Sequence, residues 1–174
     1  VAIGRNTLYA NTTASNNTGV GYNALTANTT GTNNVALGSS AGAALTTGSS
    51  NILIGSNTGD ALTTASENTA VGHFAMSNNV LGAKNVAIGT STLSATNPAT
   101  AVDMYNTAVG FSAGNAVTTG IENTLIGASA GDALTDADKN VAVGTNALTS
   151  DTLGSNSVAI GRAALANQNF TSAT

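Results

Sequence analysis

The chain has 174 residues, of which 7% are charged and 3% aromatic, with no Cys, no Trp and a net charge of −4. A typical soluble domain carries about 25% charged residues. The four basic residues, Arg5, Lys84, Lys139 and Arg162, lie far apart, which excludes the clustered footprint of a nucleic-acid binder and a polybasic membrane anchor. No apolar run approaches the roughly 20 residues of a membrane span, and a disulfide scaffold is excluded. Cys-free, Thr/Asn-rich, weakly charged sequence leans toward an extracellular setting.

From the N-terminus, a short apolar stretch closed by glycine recurs: Gly4, Gly21, Gly38, Gly55, Gly72, Gly89, Gly110, Gly127, Gly144 and Gly161. The intervals are 17 throughout except for a single 21 between Gly89 and Gly110. Fixed-period self-similarity of this length is the signature of a solenoid. Seventeen residues are too few for a helical repeat and suit one β-coil with tight corners. The residue before each glycine is always Val, Ile or Leu, and the one two earlier is Val, Ile or Thr. This alternation in β-branched residues predicts a strand in each copy. It also predicts that Ile88 and its column neighbours face the core. The fold expected is therefore all-β, a parallel β-solenoid of the left-handed β-roll type. It has ten coils of 17 residues, one of them lengthened to 21, forming a single segment over 1–174.

The second arm of each coil carries its own rule. Four residues after the glycine stands a large residue in six coils (Leu8, Leu25, Met76, Leu93, Leu148, Leu165) and glycine in the other four (Gly42, Gly59, Gly114, Gly131). Those four coils alone place an apolar residue three positions later, at Leu45, Leu62, Val117 and Leu134. A narrow interior taking one large anchor per layer explains the exchange. The third position after the glycine is always Ala or Thr, as a crowded corner demands.

An asparagine opens the motif at Asn17, Asn34, Asn51, Asn68, Asn85, Asn106, Asn123 and Asn140, with Ser157 in the same place once and Thr174 at the next in-phase position. Stacked coils set these side chains about 4.8 Å apart, the spacing of hydrogen-bonded amide ladders. Their expected role is structural.

The lengthened coil, "TNPATAVDMYN" (Thr96–Asn106), contains the only proline. The extra four residues are expected as a bulge within Thr96–Asp103 that leaves the flanking coils in register. A loop leaving a regular rod is where recognition tends to sit, so Pro98, Asp103, Met104 and Tyr105 are the candidate recognition residues.

"NSVAIGRAAL" (Asn156–Leu165) and "NVAIGTSTL" (Asn85–Leu93) resemble the YadA-like head repeats of trimeric autotransporter adhesins, and are similar to repeats of phage tail-fibre proteins. The resemblance implies a left-handed parallel β-roll, three chains wound into one head, and binding to host matrix or other surfaces.

Little points to chemistry. His73 is the only histidine, and metal or acid–base sites need several convergent groups. There is no nucleophile elbow and no phosphate loop. Asp136 and Asp138 are the only acidic cluster, without the repeated nonapeptide of calcium solenoids. No enzyme activity, cofactor or metal is expected. Threonines recur eight residues after the glycine (Thr12, Thr29, Thr46, Thr63, Thr118, Thr135, Thr152), which raises ice binding as a minor alternative. The function expected is a structural or adhesive segment of an extracellular surface or virion fibre. The alternative is a phage tail-fibre segment or a ligand-binding solenoid for ice or glycan. The expected partner is the chain itself, as a homotrimer or end-to-end filament, and beyond it a host surface or glycan, with no nucleic acid and no membrane insertion in this segment. The phase of both ends fits continuation into a longer fibre.

Overall fold

The structure, a computed structural model, describes residues 1–170 and 172. Every expected strand forms: β1 (Ala2–Ile3), β2 (Thr18–Val20), β3 (Val35–Leu37), β4 (Ile52–Ile54), β5 (Thr69–Val71), β7 (Val86–Ile88), β9 (Thr107–Val109), β10 (Thr124–Ile126), β11 (Val141–Val143) and β12 (Val158–Ile160). They make one parallel sheet of ten in chain order. Neighbours pair residue for residue at the coil period, as in Val35↔Ile52 and Ala36↔Leu53. Two further short strands, β6 (Gly82–Ala83) and β8 (Val102–Asp103), form a separate parallel pair. Across the lengthened coil, β7 still pairs in register with β9, Val86 against Thr107, so the insertion is accommodated without a slip.

The glycine that closes each strand is required by the stack. Gly21 has φ 134, in the region that only glycine adopts readily. A Cβ there would lie 2.4 Å from the carbonyl oxygen of Gly38 one coil on.

The faces of the strands are the reverse of the sequence expectation. The middle residue is buried: Ala36, Leu53, Ala70, Ala87, Ala108, Leu125 and Ala142 are fully enclosed. The flanking β-branched residues point outward, with Ile88 39% and Ile126 40% exposed. In a three-residue strand with a period of two, one residue of phase moves the whole hydrophobic set to the opposite face. Hydrophobicity favoured the flanks. The interior is too narrow for two β-branched columns and takes the single small one.

In the inner coils the anchors are buried as expected, while Leu8 in the first coil is half-buried and Leu165 in the last is exposed; the backbone explains their exchange. Leu25, Met76 and Leu93 have φ of 51, 54 and 48, and Gly42, Gly59, Gly114 and Gly131 lie at 59, 53, 57 and 57. The position is left-handed whichever residue fills it. Glycine adopts that conformation at no cost; a leucine there is strained by about 1–2 kcal/mol and recovers it by filling the core. Where the anchor is large, the residue three further on is polar, and at Asn28, Asn79 and Asp151 in the inner coils it is also buried. That residue ties the corner: Asn79 Nδ2 donates to the Gly82 carbonyl and Oδ1 accepts from the Gly82 N–H, both at 2.8 Å. Where the anchor is glycine, Leu45, Leu62, Val117 or Leu134 takes the space.

The two coil types alternate in pairs, and each glycine pair brackets one large mid-strand residue. Leu53 lies between Gly42 and Gly59, where a Cβ would meet its Cδ atoms at 2.7 and 2.9 Å. Leu125 lies between Gly114 and Gly131, with corresponding distances of 2.7 and 2.8 Å. The core is thus a single file of small and large side chains sorted by size from coil to coil.

Candidate functional site

The asparagine ladder is internal. The backbone N–H of Asn34 donates to Asn17 Oδ1 at 2.9 Å, that of Asn51 to Asn34 Oδ1 at 2.9 Å, and that of Asn68 to Asn51 Oδ1 at 3.1 Å. Asn85, Asn106, Asn123, Asn140 and Ser157 continue the series without a gap. The Nδ2 groups donate to carbonyls of the facing corner, as from Asn17 to Gly31 at 2.7 Å and from Asn140 to Gly154 at 2.9 Å. Asn85 differs: its Nδ2 turns to Ala83 O at 3.1 Å, beside the lengthened coil. Buried amides satisfied on both sides hold the backbone and present nothing outward. Thr174 lies outside the described residues.

The threonine column is also committed inward. Thr29 Oγ1 donates to Thr46 O at 3.2 Å, Thr46 Oγ1 to Thr63 O at 3.1 Å, and Thr118 Oγ1 to Thr135 O at 3.1 Å. The adjacent threonines, Thr13, Thr30, Thr47, Thr64 and Thr119, are exposed and form a single row.

What the rod does present is the outer face of the ten-stranded sheet. Two columns run its length: Val20, Leu37, Ile54, Val71, Ile88, Val109, Ile126, Val143 and Ile160 in one, and Thr18, Val35, Ile52, Thr69, Val86, Thr107, Thr124, Val141 and Val158 in the other. Ten strands at about 4.8 Å make the strip roughly 43 Å long, and two side-chain columns about 7 Å apart make it narrow. Tyr22, His73 and Phe111 border one edge, just past the closing glycines, and Phe111 is 62% exposed. His73 stacks on Phe74 with ring centroids 4.0 Å apart.

The lengthened coil supplies the second distinctive surface, and it divides the candidate residues. Asp103 and Tyr105 are exposed; Pro98 and Met104 are buried. Pro98 and Met104 are therefore not recognition residues: Met104 points into the rod, where a Cβ on Gly82 would touch its sulfur at 2.5 Å. The extra chain length had to be filled from within, and the flexible thioether does so. On the outside, Lys84 Nζ donates to Asp103 Oδ2 at 2.7 Å, and the Tyr105 hydroxyl donates to the same oxygen at 3.3 Å. The Lys84 ammonium holds the Asp103 carboxyl below the usual carboxylate range, and its own pKa is raised in return, chiefly by the same hydrogen bond. This is the one ion pair among the described residues. Asp136 and Asp138 do not converge on an empty site: Asp136 accepts from Thr119 Oγ1, and Asp138 Oδ1 accepts from the Ile121 N–H at 2.8 Å.

The sheet and its stacked corners define the chain as a β-solenoid repeat protein. No family model, curated protein or solved structure matches it.

Proposed function

We propose that this chain is a rod segment of an extracellular surface fibre, an adhesin head or fibre shaft, and that its rods associate with copies of themselves along the outer face of the sheet. The observation that carries the reading is the pair of β-branched columns on that face. Their middle partners already fill the core, and these columns are turned away from it. At roughly 43 Å by about 12 Å the strip offers on the order of 500 Å², at the upper end of what monomers leave bare; a standard interface takes about 800 Å² per partner, so the contact extends to the residues at the strip's edges. A threefold bundle, as the resemblance to adhesin heads implies, gives every strip two neighbours. The near absence of charge elsewhere suits a passive, stiff spacer.

Native mass spectrometry and sedimentation test this. The expected species is a trimer that dissociates when Ile88 and Ile126 are both replaced by Lys. A parent chain that remains monomeric at tens of micromolar overturns the proposal.

A further inference from the structure

Beside the ion pair lies a shallow groove of about 560 Å³ lined by Thr64, Ala65, Ser66, Leu81, Ala83, Ala101, Val102 and Asp103. Its volume falls within the range of ligand clefts, about 300–1,000 Å³. A rung of the regular corner is missing at this groove. In neighbouring coils the backbone N–H at this corner donates to a side-chain oxygen of the next coil: Thr32 to Ser49 Oγ at 3.0 Å, Ser49 to Ser66 Oγ at 3.0 Å, Asp138 to Ser155 Oγ at 3.0 Å. After Ser66 the corresponding residue is Ala83, which has no oxygen. Among the described residues the Ser66 N–H has no acceptor. Across the groove, both donors to Asp103 fall on Oδ2, and Oδ1 has no partner among the described residues. Between the two polar groups the wall is apolar, formed by Leu81, Ala83 and Val102.

A donor, a carboxylate acceptor and a methyl-sized apolar wall are the complement of a secondary acetamide, which offers a carbonyl oxygen, an N–H and a methyl group. From this complementarity we propose that the groove between the coils of Ser66 and Ala83 and the inserted strand binds the N-acetyl group of an amino sugar. The Ser66 N–H receives the acetyl carbonyl, Asp103 Oδ1 accepts the acetamido N–H, and the methyl group lies on Ala83 and Val102. The exposed Thr64 hydroxyl and the Lys84–Tyr105 pair stand at the rim, where ring hydroxyls of a sugar find partners; the long alkyl chain of an acetylated lysine would not use them. Binding to so open a groove is weak per site and gains from repetition along a glycan.

The test is an NMR titration of the full chain with the trimer of N-acetylglucosamine, with the glucosamine trimer and an Nε-acetyl-lysine peptide as comparators. The expected result is saturable shifts of the Ser66 amide and the Ala83 and Val102 methyls with the acetylated sugar, and at least tenfold weaker response to either comparator. Ala83→Ser restores the missing rung and should abolish the response while leaving the fold at least as stable by thermal melt. Val102→Lys, at an already exposed position, blocks the methyl site by a second route. Absence of saturable shifts, equal binding of a comparator, or binding unchanged in both variants overturns the proposal.

Discussion

Leu53→Ala probes the size-sorted interior most directly. Leu53 is fully enclosed, and the positions above and below it are Gly42 and Gly59, which have no side chain to move into the void. Removing three carbons at about 0.8 kcal/mol each costs roughly 2.4 kcal/mol in transfer free energy. A residual cavity of roughly 70 Å³ at about 24 cal/mol per Å³ adds about 1.7 kcal/mol. The expected loss is therefore about 4 kcal/mol. The sharper test is its coupling to Gly42→Ala. Alone, that change places a Cβ 2.7 Å from Leu53 Cδ1, and adds a left-handed alanine at about 1 kcal/mol to overpacking of about 1–3 kcal/mol. With Leu53 already truncated, the closest clash is relieved, leaving Leu25 Cδ2 at 3.0 Å, and the new methyl occupies part of the void. Urea unfolding of the parent, both single variants and the double variant, with m checked for constancy, should give a favourable coupling of at least about 1 kcal/mol. Additivity within about 0.3 kcal/mol would refute the sorting of the core by adjacent coils.

The inverted strand faces predict opposite outcomes at adjacent residues: Ile88→Lys should change the stability of the isolated chain by less than about 1 kcal/mol, whereas Ala87→Asp buries an unpaired charge and should cost about 4 kcal/mol or more in the same unfolding assay. Asn68→Ala orphans the Asn85 N–H and one donor bond to Gly82 and should cost about 3 kcal/mol, with amide exchange accelerating first at Asn85. Asp60 has its pKa raised by burial, and its Oδ1 is buried without a partner among the described residues. The folded chain therefore binds that proton more tightly than the unfolded one, and stability falls as pH rises from the ordinary carboxylate range through the raised value. Asp60→Asn should melt above the parent at neutral pH, and the difference should shrink to nothing as the pH is lowered below that range.

The period, the strands, the ladder and the exchange of anchors were all legible in the sequence, because each is a one-dimensional pattern that stacking converts directly into a column. The direction in which Ile88 points was not. Alternation fixes which residues share a face, but only the width of the interior decides which face is inside, and that width follows from Ala36, Ala70 and Ala87 packing against the anchors. Pro98 and Met104 were misjudged for a related reason: an insertion looks like a protruding loop in sequence, yet part of it must replace the core that the regular coil would have filled. The groove at Ala83 was within reach, since Ala83 departs from the Ser/Thr seen at Thr32, Ser49 and Ser66. The pattern acquires meaning only when the Ser49 N–H is seen to need the next coil's oxygen.

A stack of near-identical coils faces an ambiguity that ordinary domains do not: any coil could zip onto any other. The outer columns and the asparagine ladder are almost blind to such errors, because every rung looks alike to them. The alternation of glycine and leucine anchors is not blind. A nucleus that paired the coil of Leu53 one step out of place would set its side chain against Leu25 or Met76 instead of between two glycines, and the collision would unzip it. A shift of four coils would restore the size pattern, but the 21-residue coil occurs once and breaks that coincidence as well. The interior thus works as an address system, telling each rung its position along the rod during folding.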